Sequence, residues 1–218
     1  MSIRHGQKIA IVGQSGSGKS TFLSIIRDLH QPQSLQLSID GIIIDDGFAG
    51  IAQGIALIPQ KPEIFASTIM ENITLGVNYS DEMIDDALEM SCFKCTVMSL
   101  KDGLQTRLGE DGLNLSGGQQ QRLALARGLL ACDGKDIILV DEPTSSLDAQ
   151  TARSVFKSLI DRFYDKTVIC IVHDLHMLEL FDTVFVFAEG KLVGNGNHVD
   201  LLNNCPSYME LYGVRFSD

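Results

Sequence analysis

Six short apolar runs are spread along the chain, each closed by glycine, proline or a charged or polar residue. They are KIAIVG (Lys8 to Gly13), LQLSIDG (Leu35 to Gly41), IALIPQ (Ile55 to Gln60), DIILVDEP (Asp136 to Pro143), TVICIVH (Thr167 to His173) and TVFVFAEG (Thr183 to Gly190). Runs of this length, broken by Gly41, Gly54 and Pro59, predict buried strands rather than helices. FLSIIRDL and LDAQTARSVFKSLIDRF instead carry the helical period. From Ser67 to Leu130 the texture is helical throughout. There Ser80 is a predicted N-cap, acids fill the first turn, and Met83, Ile84, Ala87, Leu88 and Cys92 form the apolar stripe. Alternating strands and helices predict an α/β fold with a mostly parallel sheet covered on both faces. The helical stretch predicts a small α-helical subdomain over residues 67–130, inserted into a core of residues 1–66 and 131–218.

Composition narrows this only a little. With 218 residues, 44% hydrophobic and 21% charged, the chain suits one large globular domain, or a core with a small lobe. A formal net charge of −11 argues against general binding to nucleic acid or anionic membrane, which needs a basic footprint. No stretch approaches the roughly 20 apolar residues of a membrane helix, so the isolated domain is expected to be soluble. Five cysteines, an odd number, fit a reducing compartment. Cys92 and Cys95 form a CxxC inside the helical pattern with no second pair nearby, and ordinary helix packing is the expected use.

The first strand leads into GQSGSGKST, which satisfies G-x-x-x-x-G-K-[ST] at Gly13, Gly18, Lys19 and Ser20. A glycine-opened loop between strand and helix lets its amides wrap phosphate oxygens. Lys19 can then reach the β- and γ-phosphates, and the Ser20 hydroxyl can ligate Mg²⁺. Asp141 and Glu142 end the apolar run ILV. In open α/β sheets ligands sit at the carboxyl ends of strands, which puts both carboxylates beside the loop. Asp141 is the candidate for Mg²⁺, and Glu142, next to it, is the candidate general base. A second helix start is also suited to an anion: Ser116 can cap it, and Gly117 and Gly118 expose bare backbone. His173 ends a strand and has His176 three residues on, with no third metal ligand in view.

Six elements in order carry a family resemblance: the phosphate loop, IPQ with Gln60, LSGGQ (Leu115 to Gln119), ILVDEP, SSLD ending at Asp148, and IVHD with His173. The chain resembles the nucleotide-binding domain of the ATP-binding cassette (ABC) family over essentially its whole length. That resemblance implies a P-loop NTPase core of RecA-like type, with the helical subdomain between Gln60 and the signature helix. It implies ATP and Mg²⁺ as ligands, and an ATP-hydrolysing domain that drives transport across a membrane from its cytoplasmic face. Gly13, Ser15, Gly16, Ser17, Gly18, Lys19, Ser20 and Thr21 would hold the nucleotide phosphates, and Ser20, Gln60 and Asp141 would hold the metal. Glu142, His173, Lys19 and Gln60 would carry the chemistry. Two such domains would meet head to tail around two ATP molecules, with Ser116, Gly117, Gly118 and Gln119 of one on the ATP of the other and Asp148 at the seam. The expected partners are a second nucleotide-binding domain, most simply a copy of this chain, and a transmembrane domain of the same polypeptide, with no nucleic acid.

The sequence departs from the family pattern in three places. No aromatic residue precedes Lys19, so the adenine-stacking residue and the first strands of the usual domain are expected to be missing. Stacking of that kind is worth roughly 1–3 kcal/mol. TRLGEDG (Thr106 to Gly112) resembles the loop with which ABC exporters touch their membrane part, but carries Asp111 where an arginine is usual. QPQSLQLSIDG lacks the glycine usual after its proline. The loop and PQKPEIFASTIMENI point to an exporter. The alternatives are an importer ATPase, a soluble ABC-type ATPase not coupled to transport, or a domain that binds ATP as a switch without turnover. A P-loop kinase would not explain LSGGQ, and a GTPase would need N-K-x-D, which is absent.

Overall fold

The computed structural model describes residues 1–60, 63–109, 114–144 and 147–213. β1 (Lys8–Val12) is buried at every position and lies between β6 (Thr167–Ile171) and β7 (Thr183–Ala188), parallel to both. A strand covered on both faces needs apolar side chains on both, which is why these runs show no alternation. With β4 (Ile55–Ile58), β5 (Ile137–Asp141) and β8 (Lys191–Gly196) they form one six-stranded sheet in the order β4-β5-β6-β1-β7-β8. β5 runs parallel to β6, as expected, and β8 runs antiparallel to β7. α1 (Lys19–Ile26) packs Leu23 and Ile26 into a core of Ile9, Ile11, Leu139, Ile169, Ile171 and Phe185. Each such side chain contributes about 1.5–3 kcal/mol when fully buried.

Two strands lie outside the six expected runs. β8 alternates exposed and half-buried positions, carries two glycines, and lies at the sheet edge. β3 (Ile42–Ile44) pairs with β2 (Leu37–Ile39) in a separate hairpin. Its turn, Asp40-Gly41, has both residues at positive φ (50° and 82°), the hairpin geometry that an Asp-Gly pair favours. Gly41, expected to break the run, is part of the turn itself.

The chain divides into two compact units, residues 1–57, 135–142 and 163–218 in one and 58–134 and 143–162 in the other. The second contains the 67–130 stretch together with flanking residues and residues 143–162. α6 (Ala149–Arg162) falls within it and packs against α3 (Asp81–Met90), burying Ala152, Val155, Phe156 and Leu159. Ser80 caps α3 as expected, its hydroxyl accepting from the Met83 amide. The helix ends earlier than the apolar stripe suggested. Cys92 lies beyond it at φ 55°, in the turn before α4 (Lys94–Ser99). Among the described residues no helix is long and apolar enough to cross a membrane.

The second unit is tied together by a buried amide. Asn72, fully buried in α2 (Ile69–Thr74), donates to the carbonyls of Phe65 and Thr68 and to the Ser67 hydroxyl, and accepts from the Phe65 amide at 2.9 Å. Arg127 of α5 (Gly117–Ala131) donates to the Asn72 carbonyl at 2.7 Å and to its Oδ1 at 3.0 Å. The same guanidinium donates to the Glu63 carbonyl and lies 5.1 Å from the Phe65 ring centre. Truncation at Asn72 would strand several of these groups away from water, at a cost of about 1–3 kcal/mol for each left unpaired. Asn72→Ala is therefore expected to destabilise the protein by about 2–4 kcal/mol in urea unfolding. A loss below about 1 kcal/mol would show that the network is dispensable.

Candidate functional site

Where β1 ends, the chain has no room for a side chain. A Cβ on Gly13 would lie 2.2 Å from the Phe187 carbonyl oxygen and 2.7 Å from the Ser17 hydroxyl, at a φ of 152°. Gly16 and Gly18 also hold positive φ, 79° and 98°, and Gly18 begins α1 from a left-handed conformation. The Gly190 amide donates to the Ser17 carbonyl and fixes the loop from the β7–β8 turn. Neither Phe187 nor Gly190 was expected at the site. Their contribution is backbone, and no side-chain pattern announces it.

Lys19 turns back over this loop. Its Nζ donates to the carbonyls of Gly13 at 2.8 Å and Gln14 at 2.9 Å. The side chain is buried, and that burial pushes its pKa down, against the pull of the Glu142 and Asp141 carboxylates. Ser15, Gly16, Ser20 and Thr21 are exposed, while Ser17 is buried and its hydroxyl has no hydrogen-bond partner.

The strand order brings the other groups to the same end of the sheet, since β5, β6 and β1 are consecutive neighbours. Asp141 closes β5. Burial pushes its carboxyl pKa up, and a hydrogen bond from the Ser20 side chain opposes that shift. Its Oδ1 is buried and has no partner. Glu142 follows at φ 49°, a left-handed conformation costly for a non-glycine residue. That turn brings Glu142 Oε1 to 2.5 Å from Nε2 of His173, just past β6. An ionised carboxylate only accepts, so the proton of this contact sits on Nε2. His173 precedes the 3-10 helix Leu175–Leu180 instead of lying on it, so it shares no helix face with His176. Among the described residues no three His, Cys, Asp or Glu are grouped to hold a metal ion by themselves.

The remaining candidates lie in the second unit. Ser116 caps α5, accepting from the Gln119 amide while the Gln119 side chain accepts from the Ser116 amide. Gln119 is thus part of a capping box. Ser116 and Gly117 are exposed, with open space around Gly117. Asp148 caps α6, accepting from the Thr151 hydroxyl at 2.6 Å and amide at 3.0 Å, and these bonds hold its carboxyl below the usual range. Gln60 is exposed, two residues past β4. Asp111 and the two serines of SSLD lie outside the described residues.

A phosphate-binding loop with two carboxylates and a histidine at the carboxyl ends of adjacent parallel strands defines a nucleotide-binding domain. The family described as "ABC transporter" matches residues 1–145, and the chain belongs to that family as its ATP-binding domain. Its likeness runs to exporters. It is 38% identical over 97% of its length to the lactococcin-A transport/processing ATP-binding protein LcnC of Lactococcus lactis, and covers 30% of that protein. It is 38% identical over 99% of its length to an ATP-dependent lipid A-core flippase of Saccharophagus degradans, covering 37% of it. A bacterial Atm1-family ABC exporter solved with ATP bound superposes with a TM-score of 0.87 at 32% identity, over 99% of this chain and 38% of that one. The chain thus spans about a third of the length of these relatives.

Asp141 gives a pH-dependent expectation. With its folded pKa above the ordinary 3.8, the native state holds the proton more tightly than the unfolded state. Stability without nucleotide then falls as pH rises from about 4 through the raised value. Asp141→Asn removes the buried charge, so its melting temperature without Mg²⁺ is expected to exceed the wild type's at pH 7. The two should converge near pH 4 in thermal scans. A variant less stable at pH 7 would rule out burial of the charge as the dominant effect.

Proposed function

We propose that this domain hydrolyses Mg-ATP and that hydrolysis drives export by a membrane domain of the same polypeptide, at the cytoplasmic face. The observation that carries the reading is the Glu142–His173 contact, set beside a phosphate loop whose lysine is held in place. The unpartnered Asp141 Oδ1 and the Ser20 hydroxyl at the same carboxylate suit a hard divalent cation that keeps several waters and phosphate oxygens. Mg²⁺ bound there would neutralise phosphate charge as it develops.

The chain's own groups have distinct tasks. The loop amides between Gly13 and Ser20 receive the phosphate oxygens, and Lys19 exchanges its two carbonyl acceptors for phosphate. Glu142 takes a proton from water as the water oxygen bonds to the γ-phosphorus, and the bond to the β-phosphate oxygen breaks. His173 Nε2–H holds that carboxylate before ATP arrives and is the donor that turns to the γ-phosphate afterwards. Gln60 reports the state of the site to the membrane part.

The start of α5, with Ser116 and Gly117 exposed and Gly118 half-buried behind them, supports a two-chain site. A capped 15-residue helix with open backbone at its positive end is suited to an anion brought by another molecule. In this reading each ATP lies between one phosphate loop and the partner's signature helix, with Asp148 at the seam.

Glu142→Gln tests both parts. Turnover is expected to fall by at least about 100-fold while nucleotide still binds. Light scattering of the variant should move from monomer to dimer when Mg-ATP is added. Wild-type turnover would remove Glu142 from the reaction. A monomer with bound ATP would overturn the sandwich for this chain.

A further inference from the structure

Behind His173 lies a row of hydroxyls that the reaction as described does not use. The 3-10 helix Leu175–Leu180 starts just after His173, and its first turn is held at several points. The Asp174 side chain accepts from the His176 amide, and the Asp174 carbonyl accepts from the Met177 amide. The Leu175 carbonyl accepts from the Tyr212 hydroxyl at 3.0 Å. Tyr212 closes α8 (Pro206–Leu211), 37 positions further along the chain. Its neighbours are Tyr208 of α8, fully buried, and His198 of α7 (His198–Asn204). Their rings pack with centres 4.9 to 5.9 Å apart, and His198 Nδ1 lies 2.8 Å from the Tyr208 hydroxyl.

Each hydroxyl has one proton to give. The Tyr212 proton goes to the Leu175 carbonyl, so toward any other group its oxygen can only accept. Tyr208 packs its ring against that of Tyr212 and shares its hydroxyl hydrogen bond with His198 Nδ1. The packed rings of His198, Tyr208 and Tyr212 thus hold in place the hydroxyl that reaches the Leu175 carbonyl. That carbonyl lies two residues from a side chain that is exposed and hydrogen-bonds Glu142.

We infer that Tyr212 is a positioning residue for His173, anchoring through the Leu175 carbonyl the segment on which that imidazole is carried, with Tyr208 and His198 as its supports. The inference rests on the role given to His173 above. The ring contacts already hold α7 and α8 together, so packing alone gives the Tyr212 hydroxyl no task. Losing it frees the Leu175 carbonyl and loosens His173 relative to Glu142, while the phosphate loop is untouched.

The test is steady-state Mg-ATP hydrolysis by the whole chain as wild type, Tyr212→Phe, His173→Ala and the double variant, together with ¹⁵N spectra of the His173 ring. Phenylalanine keeps the ring and removes only the hydroxyl. Tyr212→Phe is expected to lower kcat roughly 2- to 30-fold, the range for coupling through a contact network, with KM for ATP unchanged. In the double variant it should add nothing to His173→Ala. The His173 ring signals should move in Tyr212→Phe and stay in place in Tyr164→Phe, whose side chain is exposed. Unchanged kcat with unmoved ring signals overturns the inference, as does a double variant in which the two losses multiply. His173→Ala at the wild-type rate would instead overturn the role of His173 itself. If His173→Ala is too slow to measure, the ring signals decide.

Discussion

The Phe187 carbonyl oxygen occupies the space that a side chain on Gly13 would need, and the geometry of the site starts from that close approach. β1 is held between two parallel neighbours and buried on both faces, so its exit point is fixed by the sheet. The chain must leave it through backbone that only glycine adopts there, since a Cβ would also lie 2.7 Å from the Ser17 hydroxyl. Once the loop is set in this way, α1 starts from Gly18, and Lys19 is placed to close over the loop carbonyls. β5 and β6 deliver Asp141, Glu142 and His173 to the same end, because the strand order makes them successive neighbours of β1.

The two ends of β1 show two ways of burying polar groups. At its start the Lys8 ammonium donates to the carbonyls of Gly6, Tyr164 and Lys166, at 2.6, 3.0 and 2.7 Å. Three donors meet three acceptors, and the group is a structural pin. At the other end the Ser17 hydroxyl and Asp141 Oδ1 are buried with nothing to bond. Buried polar atoms left unsatisfied are costly, and under the proposed function that cost would be recovered when phosphate and a cation bind. The left-handed Glu142 belongs with them, since local strain of this kind persists only where surrounding structure imposes it.

Much of this was legible because it rests on local rules. The buried parallel strands announce themselves as unbroken apolar runs, and the caps at Ser80 and Ser116 follow from side chains that reach the nearest amides. Where the reading fell short, contact decided. β3 was lost because its Asp-Gly turn looked like an end, and β8 because an edge strand needs no continuous apolar run. Cys92 carries the right residue type for the stripe of α3 but sits past its end, where the chain turns at positive φ. α6 joined the second unit through its apolar face, and a helical pattern does not say which neighbour it will cover.

The sequence by itself determined the glycine-rich loop motif, the buried parallel strands and the family, since each depends on residue type and short spacing. Only the tertiary structure decided that Glu142 meets His173 from 31 positions away, that backbone from the β7–β8 turn walls the phosphate loop, and that Tyr212 reaches Leu175. Those contacts join distant segments through carbonyls and amides that every residue possesses. Their partners are chosen by strand order and packing, and no residue letter records that choice.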